Sequence, residues 1–140
     1  MKLLWVGFST LKQFVRIIIA VPIAGLAVAM TKFTKYVYVA ELVSLVPFRT
    51  GDLVRNKFYK WTLKEFGKNV TINFGTIISY KDNRIGNNVW LGVNNIFGSV
   101  DIKDNVITAQ ACQFSSGKHG HGFERTDVPI IKQSGFSTML

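Results

Sequence analysis

Cysteine is nearly absent: Cys112 is the only one, so no internal disulfide can form and no multi-cysteine zinc site exists. A single buried thiol most often packs as a small apolar residue, and Cys112 is read that way. Histidine is almost as scarce, with His119 and His121 the only two. Any imidazole chemistry must therefore come from one short segment. Acids are few as well, eight against seventeen Lys and Arg, for a formal net charge of +9.

The basic excess is not spread evenly. Residues 1–68 hold eleven bases and three acids, whereas residues 69–140 hold six and five. The basic half is also the apolar half. Ile17 to Met30 reads IIIAVPIAGLAVAM, without a charge. Fourteen residues fall short of the roughly 20 that cross a bilayer. Arg16 and Lys12 stand upstream, and Lys32 and Lys35 downstream. Three readings compete: a short spanning or re-entrant helix, a hairpin lying on the membrane surface with basic anchors, and a signal peptide whose site would be Ala27-Val28-Ala29. A buried core helix is the plain alternative. Lys12 and Arg16 interrupt the region too early to favour a signal peptide. Basic charge interleaved with apolar runs fits an anionic membrane better than nucleic acid, for which no reader motif is present.

Pro47 and Gly51 mark the next change. Beyond them, Leu53, Phe58, Trp61, Leu63 and Phe66 form an apolar stripe at helical spacing. Arg55, Lys57, Lys60 and Lys64 form a basic one. This predicts an amphipathic helix that packs on the following domain or binds a membrane. Residues 1–66 are thus expected as a helical packing or membrane-associated segment, and residues 67–140 as a separate β domain.

From Gly67 the texture changes to Gly, Asn and β-branched residues on a beat of about six. Aliphatics fall at 72, 78, 85, 91, 96 and 102, with two one-residue slips. A second row runs two residues earlier, at Val70, Val89, Val100, Val106 and Cys112. Six residues make one short face, Gly and Asn turn the corners, and three faces make a coil that hydrogen-bonds to the next. The expected fold is mainly β: a left-handed parallel β-helix of about three coils, preceded by the helical segment. The competing reading is an antiparallel domain with Asn/Gly turns.

NRIGNNVWLGVNN and VDIKDNVITAQACQF, with SSGKHGHGFERTDVPI after them, resemble the hexapeptide-repeat acyltransferases, and more narrowly the bacterial sugar and polysaccharide O-acetyltransferases. The resemblance covers about residues 48–135. It implies transfer of an acetyl group from acetyl-CoA, the co-substrate, to a sugar or polysaccharide hydroxyl, without a metal. It places His119 as general base, with His121 as the alternative or an auxiliary. A neutral imidazole can accept the hydroxyl proton during attack on the thioester. Glu124 or Asp127 could fix the tautomer. The resemblance further implies a homotrimer with sites between subunits, and a chain in the cytoplasm on the inner face of the cell membrane. Family members continue with further Ile-Gly coils that form much of the acetyl-CoA groove. Here Phe136 to Leu140 follow instead, so a C-terminally truncated chain with its cofactor-binding residues missing is expected. An inactive remnant or non-catalytic scaffold is the alternative.

Overall fold

The computed structural model describes residues 2–116, 122, 124–135 and 139, with only the backbone described for residues 2–10. Three helices come first: α1 (Lys2–Met30), α2 (Tyr36–Ser44) and α3 (Phe48–Thr62). Eight strands of two residues each follow: β1 (Glu65–Phe66), β2 (Thr71–Ile72), β3 (Ile77–Ile78), β4 (Arg84–Ile85), β5 (Trp90–Leu91), β6 (Ile96–Phe97), β7 (Asp101–Ile102) and β8 (Gln113–Phe114). A 3-10 turn spans Ile130–Lys132.

At 29 residues, α1 is about 43 Å long. It extends well upstream of the fourteen uncharged residues and carries Pro22 inside it. The helix is sealed on one side only. Ala20, Ala24 and Ala27 lie one turn apart and are buried. Their small side chains let the packed helices approach closely. Away from that face Phe14, Ile18 and Leu26 are exposed. Thr31 closes the last turn by donating its hydroxyl to the Val28 carbonyl (2.8 Å).

Of the expected apolar stripe, Phe58 and Leu63 are buried but Trp61 is 46% exposed; helix α3 also buries Val54 and Tyr59, which the stripe did not include. Its basic stripe is not uniformly solvated. Arg55 is wholly buried and ties three elements together. Its Nε donates to the Ile72 carbonyl (2.9 Å), and Nη1 to the carbonyls of Ser44 (3.1 Å) and Val46 (2.8 Å). Its Nη2 meets Asp52 Oδ1 at 2.6 Å. Burial lowers its pKa, and Asp52 opposes that shift. The Ser44 carbonyl also accepts the Gly75 N–H (2.9 Å), so the end of α2 is fixed to the strand region twice.

Among the described residues every strand pair is parallel. Glu65 pairs with Arg84, Thr71 with Trp90 and Ile77 with Ile96, each a return of 19 residues. Arg84 then pairs with Asp101 and Ile96 with Gln113, returns of 17. Three small sheets result, ordered β1-β4-β7, β2-β5 and β3-β6-β8. This corrects the expectation of a mainly β chain built as a left-handed β-helix. The class is mixed α/β. Helices of 29, 9 and 15 residues outweigh the strands, and two-residue strands keep the sheets separate rather than closing them into a coil.

The corners explain why the strands are so short. Asn69, Asn88 and Asn105 all have positive φ (55°, 55° and 61°), an angle that asparagine tolerates better than most residues. Their amides stack: Asn69 Nδ2 donates to Asn88 Oδ1, and Asn88 Nδ2 to Asn105 Oδ1, both at 3.1 Å. A second corner stacks Gly75 (φ 72°), Asn94 (57°) and Ala111 (57°).

The inward row contains Ile72, Ile78, Ile85, Leu91 and Phe97, all buried. The expected member at 96 is wrong: Ile96 is 43% exposed and Phe97 1%. With Phe97 as the inward residue, the step from Leu91 is a regular six. Phe97 stacks on Phe114 with centroids 4.9 Å apart. The second row holds polar members too. Thr76, Asn83 and Asn95 are fully buried. Asn83 accepts from Val100 N–H (2.9 Å) and donates to the Gly98 carbonyl (2.7 Å). Asn95 accepts from Cys112 N–H (2.8 Å) and donates to Thr108 Oγ1 (2.7 Å). These amides replace backbone pairing across the narrow interior.

Candidate functional site

The two candidate histidines, His119 and His121, lie outside the described residues. What leads to them is well placed. Strand β8 ends at Phe114, and Ser116 Oγ accepts the Ser99 N–H at 2.7 Å. The segment after them is organised by Gln133. Its Oε1 accepts from Arg125 N–H (3.2 Å), and its Nε2 donates to the carbonyls of Arg125 (2.6 Å) and Val128 (2.9 Å).

Of the two carboxylates considered as imidazole partners, Asp127 accepts from both Nε and Nη2 of Arg125. That pairing holds its carboxyl below the usual range. Glu124 is exposed. Cys112 is half-buried, with its amide on Asn95, so its place is structural.

Two clefts flank α3 on either side of Asn56. One, of about 390 Å³, lies between α1, α3 and strands β2 and β5. Gln13 and Arg16 enter it from α1, Arg49 and Asp52 from α3, and Asn73 and Trp90 from the strand region. The other, of about 510 Å³, is lined by Lys57, Lys60 and Lys68. Asn56 borders both, and its buried Oδ1 has no hydrogen-bond partner among the described residues. Among the described residues, the only acid lining either cleft is Asp52, already paired with Arg55.

Sequence spacing brings none of these cleft residues together. Arg16 and Arg49 were separated by an apolar run and two turns, and Trp90 belonged to a strand motif. The one available signal was Arg16 itself, a cation one residue before fourteen uncharged positions.

Comparisons with family models, with curated proteins and with solved structures give no match for this chain.

Proposed function

We propose that this protein is an acetyl-CoA-dependent O-acetyltransferase that works at a membrane surface on a hydroxyl of a sugar or polysaccharide precursor. The observation that carries the reading is the repeated parallel return of the chain, ending in β8 just before Gly117-Lys118-His119-Gly120-His121. The Ile-Gly beat and the histidine segment after it are the two features that resemble the acyltransferases.

In this reading His119 takes the proton from the acceptor hydroxyl as its oxygen attacks the thioester carbonyl. The C–S bond then breaks, and the imidazolium returns the proton to the CoA thiolate. His121 is the alternative base or an auxiliary group. No covalent enzyme intermediate is required, so Cys112 has no part in the chemistry.

Membrane association is supported by α1. Leu11–Met30 is long and apolar enough to cross a bilayer, with a mean hydropathy of 2.0. Gln13 and Arg16, however, face a cleft shared with α3 and the strands. A helix packed along a polar domain fits a position in the interface plane better than a span. Phe33 (89% exposed) and Phe48 (85%) extend the same apolar surface inventory beyond α1. Exposed phenylalanines next to basic residues can insert into the headgroup and acyl boundary as apolar anchors.

The test is transfer of labelled acetyl from acetyl-CoA to a panel of sugar acceptors, with and without anionic vesicles. His119→Ala is expected to abolish turnover and leave acetyl-CoA binding in place. Unchanged turnover would remove His119 from the reaction.

A further inference from the structure

The clefts beside Asn56 carry charge that the acyl-transfer reading does not use. Arg16 and Arg49 line the smaller, and Lys57, Lys60 and Lys68 the larger. Among the described residues, neither Arg16 nor Arg49 forms an ion pair. The one lining carboxylate is neutralised by Arg55. Concave walls lined by one sign of charge focus their field on a counter-ion. The guanidinium fork matches phosphate oxygens in particular.

The wall also offers groups for a hydroxyl-bearing ligand. Asn56 has an acceptor without a donor, which a hydroxyl could satisfy if the amide turns toward the cleft. Trp90 is 47% exposed and presents a flat apolar ring. Helix α1 supplies the decisive neighbour. The helix that brings Arg16 into the cleft also leaves Phe14, Ile17 and Ile18 exposed. Cations beside an uncovered apolar face fit an amphiphile better than a free anion.

We propose that this cleft binds the phosphate head group of an anionic membrane amphiphile, with Arg16 and Arg49 on the phosphate and Trp90 against the glycerol or sugar. The site fixes α1 in the plane of the membrane surface. The inference rests on the surface-association part of the proposed function and is independent of acetyl transfer.

The test uses the full chain carrying Trp5→Phe and Trp61→Phe, so that Trp90 is the only tryptophan and is excited selectively at its red edge. Dihexanoyl-phosphatidylglycerol, below its micelle concentration, is expected to shift Trp90 emission. Dihexanoyl-phosphatidylcholine, inorganic phosphate and CoA should need at least about tenfold more ligand for the same shift. The double variant Arg16→Gln/Arg49→Gln should weaken the lipid by about thirtyfold or more. The charge-matched control Lys64→Gln/Lys132→Gln should stay within about threefold of the parent. An equal response to phosphatidylcholine, tighter binding of CoA or phosphate than of the lipid, or equal losses in the two double variants would each overturn the site. Sedimentation with phosphatidylglycerol vesicles separates the two levels. Vesicle binding with a silent Trp90 ends the cleft assignment and leaves surface association standing. Loss of both ends both.

Discussion

Replacing Arg55 by lysine keeps the charge and removes the planar fork, which makes it a sharp test of how the helices are joined to the strands. The guanidinium serves three carbonyls that belong to two places, Ser44 and Val46 before α3 and Ile72 in β2. Nε faces one and Nη1 the other two, so a single ammonium cannot serve both. Each buried carbonyl left without a donor costs about 1–3 kcal/mol. Lysine should therefore leave one carbonyl bare, because Ser44 keeps the Gly75 N–H, and cost about 1–3 kcal/mol. Methionine leaves the Val46 and Ile72 carbonyls without that donor, while Ser44 keeps the Gly75 N–H, and should cost about 2–6 kcal/mol, a large share of the whole stability of a small domain. Asp52 adds little to either figure, because its side chain is 36% exposed and the ion pair is screened. Urea unfolding followed by far-ultraviolet circular dichroism measures the loss. A lysine variant as stable as the parent would refute the role given to the fork.

Further expectations follow from individual residues. Ala111 sits at φ 57° on an exposed corner, so Ala111→Gly or Ala111→Asn should raise stability by about 1 kcal/mol in a thermal melt. Phe97→Ala should cost about 3–5 kcal/mol, whereas Ile96→Ser should be nearly neutral; the reverse order would mean the strand register is wrong. Phe48 combines φ 62° with an exposed ring, so Phe48→Gly should stabilise the fold in solution by about 1 kcal/mol while weakening vesicle sedimentation. Burial pushes the Tyr36 hydroxyl up to about 12, and burial raises Tyr59 as well. The unfolded phenols lose their protons near pH 10 while the folded ones keep theirs. Stability is then full below about pH 10 and falls as pH rises toward 12, by about 1.4 kcal/mol per pH unit for each tyrosine. Alkaline denaturation of Tyr36→Phe should show a shallower fall over that range.

The strand positions were legible because apolar burial recurs at a fixed period, and period survives ignorance of tertiary structure. The class was not. The beat of six was extended into a closed coil, but each run between asparagine corners leaves only two residues to pair. Asparagine itself was ambiguous. Asn69, Asn88 and Asn105 turn corners, whereas Asn83 and Asn95 fill the interior. A signal did exist. Asn83 stands two residues before Ile85, and Asn95 two before Phe97, the same offset as Val70 before Ile72. Arg55 was hidden for another reason. A helical wheel placed it among lysines, and the carbonyls that hold it come from distant backbone, which leaves no side-chain signature. The cleft was hidden in the same way, since only folding brings Arg16 beside Arg49 and Trp90.

The central claim is acetyl transfer at a membrane surface with His119 as the base. The most direct measurement is the rate of labelled acetyl transfer from acetyl-CoA to sugar acceptors on phosphatidylglycerol vesicles, for the parent chain and His119→Ala. The account predicts transfer by the parent that the alanine variant lacks, while both still bind acetyl-CoA. Equal transfer by the two chains, or none by the parent on any acceptor, would contradict it.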